Sequence, residues 1–407
     1  MTRDRRAVMT RAWFACIVAA ASLALLVKLY LAVTSEGSAD VIGFADHLAK
    51  IRELGVGVYY VKGPFNNPFN SPPFIIHALR ALGFLTDATR LSFSFWLRLP
   101  AILADTGSLF VVWKILNQKP VLPRSPLLLL LLALCPVSVM VSGYHGNTDP
   151  LMIFLTLLAI YLIERGERWW LAGLAFGMAL NIKVAPLIFA PAICFYLPGM
   201  RARAQYFGAA AAAFILGSLP YILLDPSILR NVFGYSSLYG QWGWSALLER
   251  WYWEAPRFLN PPHDVIGIHG VFALIGKWAL LLSIVGVSIW MNRRPVKPPL
   301  VLQCGLTVTL FLFLTPGFGI QYLSWLVPLV IALDFWPMLF FYLTAGIYQL
   351  MGYTCWGMRE APPHICLERD TALYVMALCW LSLLLLLLIY RHQFAARWPG
   401  ATRQAEG

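Results

Sequence analysis

The chain has 407 residues, of which 59% are hydrophobic and only 12% charged, with a formal net charge of +12. Its apolar residues run along the whole length, with a mean hydropathy of +0.69, which excludes a soluble globular domain and a disordered chain and leaves a polytopic membrane protein. In lipid only helices and closed barrels satisfy their backbone groups, and the continuous Leu-rich runs, without alternation, select helices.

In chain order, apolar runs between charged or Pro/Gly breaks predict twelve helices, near 13–34, 93–116, 125–143, 149–163, 169–182, 184–198, 204–224, 270–291, 300–315, 320–334, 337–355 and 372–390. The expectation is an all-α membrane bundle forming one domain over 1–407, with external loops at 35–92, 225–269 and 355–371. The basic N-terminus and first apolar stretch resemble a signal peptide, but the stretch is long and no clear small-residue cleavage site precedes Asp40, so it reads as a retained helix. The segments on either side of Asn181 and Lys183 are short for spans; neighbouring protein would cover their ends, or the two form one long helix. A segment near 75–86 mixes His77 and Arg80 with Ile75, Ile76 and Leu79, the pattern of a helix lying on the membrane surface.

Orientation follows from the basic residues. Arg3, Arg5, Arg6 and Arg11 precede the first span; Lys114, Lys119 and Arg124, then Arg165 and Arg168, Arg201 and Arg203, and Arg293, Arg294 and Lys297 occupy later turns on the same side, with Arg391, Arg397 and Arg403 in the tail. The short opposite turns at 144–148 and 316–320 contain no Lys or Arg, so both termini are expected in the cytoplasm and the protein in the plasma (inner) membrane. The positive charge is explained by this asymmetry and suits anionic membrane lipids as partners; no nucleic-acid motif is present, and no nucleic acid is expected.

Five of the seven cysteines, Cys16, Cys135, Cys194, Cys304 and Cys379, fall in predicted spans as small apolar residues. Cys355 and Cys366 bracket the last external loop and either form a disulfide or remain two thiols. The sequence carries no zinc-ligand spacing, Walker loop, G-x-G-x-x-G fingerprint or G-x-S-x-G elbow, and neither a metal nor a cofactor is expected.

The external side holds the chemistry. Asp40 opens the first loop at the mouth of the first span, placed either to take a proton from a hydroxyl or to act as an interfacial charge. Asp46 is a secondary candidate, since on a helix it would not share a face with Asp40. Pro72 and Pro73, in the run from Phe65 to Phe74, would stiffen the loop's return to the membrane. The turn G-Y-H-G-N-T-D-P, Gly143 to Pro150, concentrates His145, Asn147 and Asp149; helix capping accounts equally for Asn147 and Asp149, but not for His145. Lys183, in N-I-K-V-A-P, is a cation within an apolar stretch and suits a phosphate, with a structural carboxylate as the alternative partner. Gly173 and Gly177 form a G-x-x-x-G that marks close helix packing. Gln321 and Tyr322, in the turn Thr315 to Trp325, offer polar groups beside aromatic surface, as a sugar requires. The aromatic loop 225–269, with Arg250, is either a lid or an interfacial anchor.

Taken in order, Asp40, N-S-P-P-F at 70–74, R-L-P-A-I-L-A-D at 98–105, H-G-N-T-D-P-L at 145–151, N-I-K-V-A-P at 181–186 and G-F-G-I-Q-Y-L-S-W-L-V-P at 317–328 resemble the GT-C superfamily of integral-membrane glycosyltransferases, particularly bacterial mannosyltransferase-like members. The resemblance implies a polyprenyl-phosphate-linked sugar donor, a glycolipid or glycan acceptor, and inversion at the anomeric carbon outside the cytoplasm. Asp40 matches the family's catalytic aspartate, with Lys183, Arg98 and Arg250 as donor-phosphate partners and Asp46, His145, Asn147, Asp149, Gln321 and Tyr322 in the sugar or acceptor pocket. The first loop reads A-D-V-I-G-F-A-D, without the family's acidic D-x-D pair. The rival readings are a transporter or lipid flippase, which would use intramembrane charge, and a polysaccharide polymerase or ligase, which would use external arginines.

Overall fold

The computed structural model describes residues 10–61, 69–166, 168–234, 242–252, 268–353 and 369–398, and, within these, all side chains except those of 248–252, 268–274, 369, 370 and 372. The fold is an all-α bundle. Helix α1 (Arg11–Thr34) is followed by α2 (Ala39–Leu54), within the stretch read from sequence as a loop, and by α3 (Phe74–Ala88), where a helix was expected near 75–86. Ser38 caps α2, its Oγ accepting from the Asp40 amide at 3.2 Å, while the Pro72 and Pro73 carbonyls accept from Ile75 and Ile76 at 2.9 and 3.0 Å to start α3. The tandem prolines thus begin a helix. Asp40 stands in the first turn of α2, where a carboxylate favours the positive end of the helix.

Helix α4 (Phe93–Gln118) returns along α1, and the next predicted span is broken into α5 (Pro126–Ala133), α6 (Pro136–Ser138) and a π-helical turn, Val139–His145. Pro136 has no amide hydrogen to continue the ladder, which accounts for the break. Then follow α7 (Asp149–Arg165), α8 (Trp169–Ile182), a 3-10 turn (Ala185–Phe189), α9 (Ala190–Tyr196), α10 (Met200–Leu224), α11 (Ile228–Gly234), α12 (Gly243–Tyr252), α13 (Ile268–Asn292), α14 (Leu300–Leu314), a 3-10 turn (Ile320–Trp325), α15 (Val327–Val330), α16 (Phe335–Met351) and α17 (Arg369–Arg397). Among the described residues, six helical segments are long and apolar enough to cross a membrane, and shorter apolar helices such as α8 and α14 pack between them.

Short helices at membrane depth need protein around their ends. Helix α8 has it: a Cβ at Gly173 or Gly177 would collide with the Tyr206 and Ala210 carbonyls of α10, so the two helices meet backbone to backbone. Asn181, fully buried, donates to the Gly177 carbonyl at 3.1 Å and to the Ala213 carbonyl of α10 at 2.9 Å. Residues 181–184 therefore break one apolar stretch into two elements. Leu26, Leu216, Leu223 and Leu282 are more than 60% exposed, the faces that α1, α10 and α13 would present to lipid. At the end of the bundle away from Asp40, the buried Glu164 carboxylate ties four elements together: Lys119 lies 2.5 Å away, Tyr196 donates at 2.9 Å, and the Leu300 amide also donates to it.

Candidate active site

The turns at the other end bring together residues far apart in sequence. Asp40 Oδ2 accepts from Asn147 Nδ2 at 2.7 Å and lies 3.1 Å from His145 Nε2. Ser38 Oγ is 2.5 Å from His145 Nδ1 and 3.1 Å from the His145 carbonyl oxygen. Ser38 and Asp40 thus flank the two ring nitrogens of His145. The Tyr353 ring stacks on His145 with centroids 4.3 Å apart and 21° between planes, which closes the far face of the imidazole.

Burial works to raise the Asp40 carboxyl, but it is outweighed by the adjacent His145, the hydrogen bonds from His145 and Asn147, and the Lys183 charge, which hold it at about 2. Its side chain is still 37% exposed, whereas His145 and Asn147 are buried. Both neighbours meet Oδ2, and Oδ1 takes neither contact. The result is a carboxylate oriented through one oxygen and partly exposed.

A second cluster adjoins it through the turn. Asn147 Oδ1 accepts from the Asp149 amide at 3.0 Å, so one amide side chain both starts α7 and orients Asp40. The Asp149 carboxylate is fully buried and receives Lys183 Nζ at 2.7 Å and Trp325 Nε1 at 3.0 Å. Lys183 also stands over the Tyr322 and Trp325 rings, 4.9 and 5.7 Å from their centroids, with 24% of its side chain exposed. The carboxylate partner weighed for Lys183 is therefore present, and about a quarter of the lysine side chain stays exposed.

Arg98 lies beneath the first cluster, fully buried. Its Nη1 donates to the Leu31 and Ser35 carbonyls at 2.9 and 3.1 Å, closing the end of α1, while Nε and Nη2 meet no hydrogen-bond acceptor among the described residues. Two left-handed glycines make room for it. Gly37 has φ +88°, and a Cβ there would strike Arg98 Nη2; Gly146 has φ +78°, and a Cβ there would come within 2.5 Å of Val41 Cγ2. Beside Asp40, an open hollow of about 470 Å³ lies between the ends of α1, α2 and α4, with Val33, Val41, Ile42, Ala45 and Phe93 among its lining.

The structure thus gathers Asp40, His145, Asn147, Asp149, Lys183 and Tyr322, with Arg98 directly below. Gln321 sits half-buried in the same 3-10 turn as Tyr322, its carbonyl accepting from Ser324. Asp46 is not brought into the group: its carboxylate pairs with Lys50 at 2.8 Å one helical turn further along α2. The Arg250 side chain and both Cys355 and Cys366 lie outside the described residues. Sequence reasoning passed over Ser38, Trp325 and Tyr353. Ser38 had a signal, a serine two residues before an acidic first turn, but Tyr353 is brought to His145 only by the packing of α16.

Residues 141–253 match the family model described as mannosyltransferase (PIG-M). The stretch contains the π-helical turn from Val141 onward, with His145, and Asn147, Asp149 and Lys183. Over that stretch the chain is similar to mannosyltransferases. It is 28% identical over 96 residues to GPI mannosyltransferase 1 of Kluyveromyces lactis, an alignment that spans 24% of this chain and 23% of that relative. Asp40, Arg98 and Tyr353 fall outside the family match, so the mannosyltransferase-like segment supplies one wall of the site and the preceding and following helices supply the other.

Proposed function

We propose that the protein is a membrane mannosyltransferase that moves a mannosyl group from a polyprenyl-phosphate-linked donor to a hydroxyl of a glycolipid or glycan acceptor, on the extracytoplasmic side and with inversion. The observation that carries this reading is the Asp40 carboxylate, oriented through Oδ2 by His145 and Asn147, with 37% of its side chain exposed. Its placement beside a cation, aromatic rings and an apolar hollow matches what a lipid-linked sugar requires. The family match supports mannose, and the absence of soluble nucleotide sugars outside the cytoplasm favours a lipid-linked donor.

In the transfer, the acceptor oxygen forms a bond to the anomeric carbon as the bond from that carbon to the phosphate oxygen breaks. The bonding pair leaves with the polyprenyl phosphate, and the acceptor proton passes to Asp40 Oδ1. A carboxylate near 2 is a weak base in the ground state, but the hydroxyl becomes strongly acidic as its bond to carbon forms, and the proton then moves downhill. Lys183, shared with Asp149, neutralises charge gathering on the departing phosphate, and Arg98, whose Nε and Nη2 meet no acceptor among the described residues, is its proposed second partner. Tyr322 and Gln321 present ring surface and an amide to the sugar. The hollow between α1, α2 and α4 is an entrance for a lipid chain whose head group must reach Asp40.

The test is sugar transfer by purified protein in nanodiscs, with radiolabelled polyprenyl-phosphate mannose and glucose and a mixed glycolipid acceptor pool, wild type beside Asp40→Asn. Asparagine retains the side-chain shape and removes the charge, so a loss of at least about 100-fold in turnover is expected with insertion intact. Near-normal turnover of Asp40→Asn would remove Asp40 from the base role.

A further inference from the structure

Two charges of opposite sign lie inside the apolar bundle and touch none of the residues assigned above to the reaction. Lys28 is in α1 and Asp105 in α4, with 5% and 18% of their side chains exposed. Ionisable groups at such positions are rare and need close partners. Lys28 Nζ is 2.9 Å from Asp105 Oδ2 and 2.7 Å from Ser138 Oγ. Ser138 Oγ donates at 2.5 Å and Ser142 Oγ at 2.9 Å to the same carboxylate oxygen. One oxygen therefore collects a cation and two hydroxyls.

The two serines belong to the strand of chain that carries His145. Ser138 immediately precedes the π-helical turn Val139–His145, Ser142 lies in its middle, and His145 ends it. A Cβ at Gly143 would lie 3.0 Å from Lys28 Cα, so the backbone of the turn rests against the backbone of α1 at the lysine itself. A π turn is rare and less favourable than continued α-helix, and it persists where tertiary contacts define it. The extra residue in the turn also decides which way His145 faces, since a return to α-geometry would rotate each later side chain about the axis. The adjoining void, about 20 Å³, holds about one water and is far too small for a sugar.

We propose that Lys28 and Asp105 are positioning residues: through Ser138 and Ser142 they hold the π-helical turn against α1 and α4 so that His145 and Asn147 reach Asp40. The inference rests on the reading of Asp40 and His145 as the reacting centre. It also explains why an ion pair is retained where apolar side chains would pack at least as well, since replacing a buried pair by hydrophobic residues is often neutral or stabilising.

The test compares full-length wild type, Lys28→Met/Asp105→Leu, Lys28→Arg/Asp105→Glu and Ser142→Ala in nanodiscs. Hydrogen exchange of residues 139–147, read by mass spectrometry, is independent of any substrate. The apolar double variant is expected to keep its thermal midpoint, to exchange over 139–147 about tenfold faster while α7 is unchanged, and to lose about tenfold or more in kcat with donor KM within about twofold. The Arg/Glu variant is expected to recover most of both losses, and Ser142→Ala to move exchange in the same direction by about threefold. If the apolar pair does not fold, the Ser142→Ala exchange decides. Wild-type protection of 139–147 in a folded variant, or faster exchange with unchanged kcat, overturns the proposal. Absence of transfer by wild type would count against the mannosyltransferase reading alone, because the exchange comparison still reports whether the pair holds the turn.

Discussion

Replacing Lys183 by methionine separates the lysine's structural partner from its proposed catalytic one. Lys183 Nζ is 2.7 Å from the Asp149 carboxylate, a gross attraction of about 6 kcal/mol at an effective dielectric of about 20, much of it cancelled by the cost of removing both groups from water. Taking away one partner of a buried pair typically costs about 3–5 kcal/mol, because the other charge stays buried and unpaired. Asp149 is fully buried but keeps its bond from Trp325, and a quarter of the Lys183 side chain is exposed, which places the loss near the lower end, about 3 kcal/mol. Thermal unfolding in detergent should show a lowered midpoint for Lys183→Met. In Lys183→Met/Asp149→Asn neither charge of the pair is left, and more than half of the loss should return. Mannosyl transfer should nevertheless stay down about 100-fold to 1000-fold in both variants, the usual cost of losing a group that meets developing charge. A double variant that regained transfer would show that the lysine serves only to neutralise Asp149. An unchanged midpoint in the single variant would show that Asp149 is not ionised in the folded protein.

Gly146→Ala places a side chain at φ +78° and within 2.5 Å of Val41 Cγ2, so the turn carrying His145 should shift from α2 and transfer should fall about tenfold or more; normal kinetics in a folded variant would show that the turn has slack. The pH dependence follows from Asp40. Its folded value, about 2, is below the ordinary 3.8, so its contribution to stability is fully present above about pH 4 and is lost as pH falls towards 2. The acid limb of kcat/KM assigned to Asp40 should accordingly lie below about pH 4, with a plateau through pH 5 to 8; a limb near pH 6 would mean that another group takes the proton.

The site was legible in its ingredients. Asp40, His145, Asn147, Asp149 and Lys183 stand out because polar groups beside long apolar runs are costly unless used, and their order along the chain carried the resemblance later matched by the family model over 141–253. Their pairing was not legible. Lys183 and Asp149 are 34 positions apart and meet because α7 and α8 pack side by side, while Asp40 and Asn147 meet across 107. Within 35–92 the helix near 75–86 was legible from its mixed apolar and basic pattern, whereas α2, whose start is capped by Ser38, was read as loop. Lys28 was passed over, and Asp105 stood only as the end of the run R-L-P-A-I-L-A-D; the two meet because α1 and α4 pack together.

By itself the sequence determined the class of molecule: the hydrocarbon core demands apolar runs about 20 residues long and forbids open backbone, so composition alone dictates a helical membrane bundle with its chemistry in the turns. Tertiary structure decided what that chemistry is made of. Hydrogen bonds and ion pairs act over about 3 Å, a range that only packing can create between residues a hundred positions apart. It joined Asp40 to His145 and Asn147, gave Lys183 to Asp149, and set a buried ion pair against the turn that holds the site together.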